Sequence, residues 1–413
     1  MPCLAIDFGT SNSAMAVLEN GAVRRLSVEG HHDTLPTAVF FPEDGSGMLI
    51  GRAAGEALIE GDPGRYMRAL KSVLGTELLH EERRIGRKRQ SIAQIITIFL
   101  AHLKAEAEAQ TGLKIPTALS GRPVAFHDNP ERHARAEADL RACYHAAGFD
   151  TVEFLPEPEA AALAAGHSQR NRETGLIVDI GGGTSDFSVY QREGEEIRIL
   201  ASHGIRLGGT DFDHALSLAK AMPELGLGGE LKREMGDGLL PVPRGIYVDL
   251  SRWEKIPFVY TPETRRLVAD MERNATDPKR IGRLAHVIEE QLGHELAFAV
   301  ESGKIAANSD DAQAAIAMGM VEPKLEVRLT RGMLNGALSQ HREALRNAIY
   351  QTLMQAQMAP QMLDCIVLVG GSSLMGLVAE EAQATCPNAE LRKVEAFTAV
   401  IDGLALASRS FAS

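Results

Sequence analysis

The chain has 413 residues, 45% apolar, 24% charged and 5% aromatic, with a formal net charge of -12. Ordinary globular composition at this length points to a soluble protein of two lobes, because single cores stop growing at about 250–300 residues. The acidic balance argues against broad nucleic-acid binding and suits a cytoplasmic protein.

Other features exclude further classes. Cys3, Cys143, Cys365 and Cys386 form no C-x-x-C and no metal spacing, so they read as small hydrophobes in a reducing compartment. No signal peptide is expected, since Leu4-Ala5-Ile6 meets Asp7 at once. The longest apolar stretch, residues 92–103, contains Gln94, Thr97 and His102 and is too short to span a bilayer.

In chain order, Leu4-Ala5-Ile6-Asp7-Phe8-Gly9-Thr10-Ser11-Asn12-Ser13-Ala14-Met15-Ala16-Val17-Leu18 reads as a strand, a small hydroxyl-bearing turn and a returning strand. Residues 34–90 are less regular. Pro36, Pro42, Gly45, Gly47 and Gly51 punctuate short strand-like runs such as 38–41. Residues 66–75 are predicted to be a helix capped by Gly75. Arg83, Arg84, Arg87, Lys88 and Arg89, flanked by Glu81 and Glu82, read as an exposed hairpin or loop face. No aromatics interleave them, so a nucleic-acid patch is not expected.

Residues 91–111 are predicted to be an amphipathic helix with Ile95, Ile96, Phe99, Leu100 and Leu103 on its buried stripe. A buried strand follows at 117–119, a helix at 130–147 capped by Gly148, and a short strand at 152–155. In Pro156-Glu157-Pro158-Glu159-Ala160-Ala161-Ala162-Leu163, Pro158 sits where a helix can begin. The alanines permit close crossing against another helix. The sharper reading is a hinge helix between two lobes, with Glu157 at its mouth. The polar run 167–174 leads into the second lobe.

Leu176-Ile177-Val178-Asp179-Ile180 is an apolar, β-branched-rich strand, interrupted by Gly181-Gly182-Gly183 and Thr184. Asp186-Phe187-Ser188-Val189-Tyr190 then alternates with period two, so the chain returns as a second strand. The tip of this hairpin is almost all backbone. Its N–H groups can converge into a nest for phosphate. A Walker A loop or dinucleotide fingerprint would exit into a helix, and neither motif occurs. The element repeats the N-terminal hairpin in outline. Two such hairpins predict a duplication at whole-lobe scale, with the tips facing each other across a cleft.

A strand is expected at 197–203, then a Gly208-Gly209 turn opening a helix. Residues 223–262 are rich in Gly and Pro, hold Trp253, and read as a peripheral elaboration. One long helix is predicted from about 281 to 308. Glu301 and Lys304 lie on one face of it. Strand 366–369 leads to the turn Gly370-Gly371-Ser372-Ser373 and a helix, and a last apolar helix covers 400–407. The chain ends at Ser413, and no further domain is expected after it.

Six segments carry a resemblance: Ile6-Asp7-Phe8-Gly9-Thr10-Ser11; Ala69-Leu70-Lys71-Ser72-Val73-Leu74-Gly75; Glu157-Pro158-Glu159-Ala160-Ala161-Ala162; residues 178–186; Leu207-Gly208-Gly209-Thr210-Asp211-Phe212-Asp213; and Val367-Leu368-Val369-Gly370-Gly371-Ser372. In their order and spread the sequence resembles the actin, sugar-kinase and chaperone ATPase superfamily. It is most similar to the nucleotide-binding domain of the heat-shock 70 kDa (DnaK-like) chaperones, and especially to their short YegD-type branch.

The resemblance implies a two-lobed α/β, actin-like ATPase fold with duplicated ribonuclease H-like lobes, each a mixed sheet core plus an added subdomain. Lobe I would be 1–166, with its subdomain at about 34–90. Lobe II would be 167–413, with its subdomain at about 206–300. It further implies ATP/ADP and Mg²⁺ as ligands. Asp7 and Asp179 would face the metal from two sides, largely through water. Lys71 would reach the γ-phosphate and the attacking water, whereas taken alone it reads as a solvated lysine. Thr10 and Thr184 would offer hydroxyls, and Glu157 and Asp186 would orient water or metal ligands. With Gly9, Ser11, Asn12, Gly181, Gly182 and Gly183 at the phosphates, the nucleoside side would fall to Glu301, Lys304, Ile305, Asn308, Gly370, Gly371, Ser372 and Ser373.

Departures from the family are visible. It stacks adenine between arginines, where Ile305 and Leu374 stand here, so base selection should relax. Its Asp-containing C-terminal segment does not align cleanly with Phe397-Thr398-Ala399-Val400-Ile401-Asp402-Gly403. Its peptide-binding domain has no counterpart in the sequence, so this chain is not expected to capture peptides through a domain of its own. The resulting expectation is a slow, Mg-dependent ATPase switch that couples lobe closure to a protein partner, without nucleic acid or membrane. The alternatives are a small-metabolite kinase of the same superfamily and an actin-like filament protein.

Overall fold

A computed structural model describes residues 2–85, 88–127, 129–165, 172–194, 196–233, 236–393 and 398–411. Gly166 and the start of the polar run at 167, and with them the expected lobe boundary, lie outside the described residues, as do Arg87 and Phe397.

Two sheets carry the fold. Strands β1 (Cys3–Phe8), β2 (Asn12–Glu19), β3 (Ala22–Leu26), β4 (Thr117–Arg122) and β5 (Thr151–Pro156) run in the order β5-β4-β1-β2-β3, and Leu35–Pro36 adds to β2. Strands β6 (Arg172–Ile180), β7 (Ser185–Glu193), β8 (Glu196–Ile205), β9 (Cys365–Val369) and β10 (Glu390–Lys393) run in the order β8-β7-β6-β9-β10. The two orders are the same topology. In each, the first strand pairs antiparallel with its hairpin partner and parallel with a strand from later in the chain. The two end strands of each path extend the same antiparallel and parallel halves. The duplication expected from two similar hairpins is present strand for strand.

By its internal contacts the chain forms two compact units. One comprises Met1–Arg206, Leu345–Leu374 and Val378–Ser413, and it contains both sheets. The other comprises Leu207–Ala344 and Met375–Leu377.

In the first unit, helix α1 (Ile92–Thr111) starts at a capping box. Ser91 Oγ accepts from Gln94 N, and the Gln94 side chain accepts from Ser91 N. Its stripe Ile95, Ile96, Phe99, Leu100 and Leu103 is fully buried, and Phe99 meets Phe8 of β1 at 5.7 Å between ring centroids. Helix α2 (Pro130–Ala146) is capped by Asn129 and buries Leu140 and Tyr144 in the same cluster. Helix α3 (Glu157–Ala164) has the small-residue face seen in the sequence. It crosses the last helix, Ala399–Ala407, so closely that Gly403 rests on the backbone of Ala160.

Residues 66–75 are not one helix. Gly64–Arg68 is a strand paired with Ala38–Pro42, and Leu70–Val73 is a single 3₁₀ turn. Ala69 between them has φ 56°, which breaks any continuous helix, and Gly75 closes the loop at φ 75°.

The second unit holds α4 (Gly209–Leu216), α5 (Pro278–Glu289) and α6 (Gly293–Asn308). The single helix expected over 281–308 is thus two helices. Gln291 turns the chain at φ 55° between them. Gly293 then lets α6 start against Tyr260, Ile256 and Leu250, where an added Cβ would stand 2.6–2.9 Å from their side chains. Residues 223–262 are less peripheral than expected. Tyr247, Leu250 and Ile256 are buried, and the Trp253 ring lies 4.6 Å from His294 and 4.9 Å from Phe298 of α6. The turn-rich composition concealed apolar residues spaced for short helices.

Candidate nucleotide and metal site

The two hairpin tips of the first unit approach each other. A Cβ on Gly182 would meet Ser11 Oγ, so the second tip lies against the Ser11 side chain of the first. Each tip is closed by its own backbone. Gly181 N donates to Thr184 O at 3.0 Å, and a Cβ on Gly9 would strike Asn12 O. Ser11, Asn12, Gly183 and Thr184 are exposed, and Thr10, Gly181 and Gly182 are half-buried. The 370–373 turn joins the same place. Gly370 has φ 80°, and a Cβ there would lie 2.6 Å from Asp179 Oδ1 and 2.5 Å from Ile180 O. Ser373 does not project outward. It is buried, and its hydroxyl donates to Gly370 O at 2.7 Å, closing the turn. Gly371 and Ser372 are half-buried.

Behind the tips stand four carboxylates and one ammonium. Asp7 is next to last in β1 and Asp179 next to last in β6, so the duplicated topology delivers both to matching strand ends. Asp186 lies directly opposite Asp179 across the β6–β7 ladder. Glu157 opens α3. Lys71 comes from the 3₁₀ turn, is buried, and donates to Glu157 Oε1 at 2.7 Å.

The electrostatics follow from this crowding. Burial, then the Glu157 charge, pushes Asp7 up to about 7, against the opposing pull of Lys71. Asp186 is pushed up to about 7 by burial and by Glu157. Asp179 is raised well above the carboxylate range by burial, then by Glu157, Asp186 and Asp7. For Lys71 burial pulls downward, yet Glu157, Asp7 and Asp179 outweigh it and hold the amine above its ordinary value. Lys71 therefore stays charged at neutral pH.

The donor chemistry fits a divalent cation beside a polyphosphate. Four carboxylates facing one ammonium leave excess negative charge that a hard cation would relieve, and backbone N–H groups at the tips suit anionic oxygens. Among the described residues no three acidic, His or Cys side chains are close enough to ligate a metal directly.

The remaining sequence-derived residues belong to the second unit. Lys304 is buried in α6 and pairs with Asp213 of α4 at 2.7 Å. Asn308 Oδ1 accepts from Gly376 N at 2.8 Å. Glu301 is half-buried, and Ile305 is 57% exposed. Leu374, in the first unit, is 42% exposed. Asp402 of the unaligned C-terminal segment has another task. It forms a bidentate ion pair with Arg25 of β3, at 2.8 and 2.7 Å.

Sequence reasoning missed the residues that hold the Lys71 loop. His127 Nε2 donates to Leu74 O at 2.7 Å, Asp139 Oδ2 accepts from Gly75 N at 3.0 Å, and Asp139 Oδ1 accepts from His80 Nε2 at 3.0 Å. Nothing in the spacing of residues 71, 127 and 139 signals these contacts, because α2 meets the loop only in the folded chain.

Comparison with known proteins identifies the family. The family model described as Hsp70 protein matches residues 3–220. The chain belongs to the Hsp70 family. Curated relatives of this Hsp70-family chain include the chaperone protein DnaK of Thermosipho melanesiensis, 28% identical over 91% of this chain and 53% of that protein. The chaperone proteins DnaK of Thermotoga neapolitana and Thermotoga maritima are each 29% identical over 91% of this chain and 54% of their own length. The chain thus spans about half the length of the curated relatives it matches. The Hsp70 match includes both hairpins, the Lys71 loop and Glu157. Among the described residues no helix is long and apolar enough to cross a membrane.

Proposed function

We propose that this Hsp70-family chain binds ATP with Mg²⁺ and hydrolyses it slowly, as a switch that controls a protein partner. One observation carries the reading. Two small-residue hairpin tips, one of them built on three glycines, and a cluster of four carboxylates with one buried lysine meet at one place in the first unit.

The tips would cradle the β- and γ-phosphates with backbone N–H groups, with Thr10 and Thr184 adding hydroxyls. Lys71, kept protonated, sets positive charge against the phosphoryl oxygens and the attacking water, and Glu157 fixes its ammonium. Asp7 and Asp179 would hold magnesium through water. When bound, that ion neutralises charge on the bridging oxygens. Asp186 orients water at the same edge. Glu301, Lys304, Ile305 and Asn308 would take the nucleoside, Lys304 being aligned by Asp213. Gly370, Gly371 and Ser372 would lie along its α-phosphate. Lobe closure on nucleotide, residence in the cytoplasm and coupling to a protein partner are parts of the same proposal, supported by family membership.

The test is ATP turnover with and without Mg²⁺, for the natural chain and for Lys71→Ala. Slow Mg-dependent hydrolysis is expected, falling by about 10²-fold or more in the variant. Equal rates in the two proteins would remove Lys71 from the chemistry. ADP release that depends on an added hydroxyl metabolite would favour a kinase.

A further inference from the structure

The Lys71 loop is an unusual support for a reactive group. It is a single 3₁₀ turn, entered through a left-handed alanine, Ala69, and left through a left-handed glycine, Gly75. A turn this short has little stability of its own. Its internal bonds, Ser72 Oγ to Ala69 O and Thr76 Oγ1 to Val73 O, are local and do not fix it to the sheet. Leu70 and Leu74 anchor it in the core, but apolar contacts tolerate sliding.

Direction comes from two polar ties to the segment after β4. His127 holds the Leu74 carbonyl, and the Asp139 carboxylate holds the Gly75 amide and His80 together. Gly75 lies so close to α2 that a Cβ there would stand 2.5 Å from Arg132 O, so the loop seats against the helix backbone at this point. Asp139 is on α2 and its side chain is only 11% exposed, which strengthens its hydrogen bonds relative to water.

We propose that Asp139 is the positioning residue for Lys71: it clamps Gly75 against α2 and thereby aims the Lys71 ammonium at Glu157 and the phosphate site. His127 is the second clamp. The proposal rests on the ATPase reading for its kinetic consequence, but the clamp is testable without nucleotide.

The experiment compares the natural chain with Asp139→Ala, Asp139→Asn and His127→Ala. The first readout is the rate of amine labelling at Lys71 in nucleotide-free protein, followed by peptide mass spectrometry, with Lys104 and Lys304 as internal references. Lys71 should label roughly tenfold faster in Asp139→Ala, the size expected for losing a hydrogen bond to a charged group. The reference lysines should keep their rates. His127→Ala should accelerate Lys71 in the same selective way. Asp139→Asn, which retains an acceptor for Gly75 N, should restore the slow rate. The second readout is ATP turnover, where kcat should fall by about 10–10²-fold in Asp139→Ala with KM changed less than about threefold, and recover in Asp139→Asn. Unchanged Lys71 labelling in Asp139→Ala would overturn the proposal, and so would acceleration of all three lysines together, which marks general loosening. Selective labelling in a protein that never hydrolyses ATP would uphold the clamp and defeat the ATPase reading instead.

Discussion

Gly403 of the last helix lies directly on Ala160 of α3. An ideal Cβ at Gly403 would stand 2.8 Å from Ala160 Cα and closer still to its carbonyl. These two helices bury Ala160, Ala161, Ala162, Val400, Ile401 and Leu404 in the cluster that also receives residues from both sheets. Since α3 begins with Glu157, their crossing also sets where the Lys71 partner stands.

Replacing Gly403 by Ala should therefore destabilise, although alanine is the better helix former by about 0.5–1 kcal/mol. Overpacking against backbone should cost about 1–3 kcal/mol, which outweighs that gain. Gly55, inside the helix Arg52–Ile59, is the control, because a Cβ there meets nothing within 4 Å. Denaturant melts should show the midpoint falling for Gly403→Ala and rising slightly for Gly55→Ala. A rise for both would mean that the crossing has room to spare.

The carboxylate cluster should give the nucleotide-free protein an inverted pH response. Asp7 and Asp186 keep their protons up to about 7 when folded, against an ordinary value of 3.8 when unfolded. Between those limits the folded state binds more protons, so stability from these groups falls as pH rises from about 4 to 7. Lys71, raised from its ordinary value, contributes stability throughout this window and loses it only at more alkaline pH. Magnesium should offset the loss by compensating the ionised carboxylates. Thermal melts at pH 5.5 and 8.0 should show Mg²⁺ raising the midpoint at pH 8.0 and having little effect at 5.5. The same Mg²⁺ shift at both values would place the ion elsewhere.

Ile305→Arg should strengthen adenine-nucleotide binding. Ile305 is exposed at the position where the resemblance calls for a stacking guanidinium, and such stacking contributes about 0.5–2 kcal/mol. Titration calorimetry with Mg·ADP should show affinity rising by up to roughly 30-fold. Preference over a pyrimidine diphosphate should rise with it. Unchanged affinity would separate Ile305 from the base.

Much of the fold was legible because the decisive signals are local. Glycine-interrupted apolar strands, an alanine-rich helix behind a Pro-Glu-Pro, and the apolar stripe of α1 each follow from residue type and period. Where reading failed, backbone conformation had overruled local pattern. Ala69 and Gln291 adopt left-handed conformations that no propensity assigns to alanine or glutamine, and each breaks a stretch that reads as helical.

The sequence by itself determined the two sister hairpins, their placing of Asp7 and Asp179 at equivalent strand ends, and the small residues that let helices cross closely. These depend on side-chain size, period and glycine freedom, which are properties of neighbouring residues. Only the tertiary structure decided that Gly182 reaches Ser11, that Lys71 is buried on Glu157, that Lys304 turns to Asp213, and that Asp139 holds the loop. Those pairings join residues far apart in the chain. Their strength comes from burial and charge proximity, which exist only once the segments have packed.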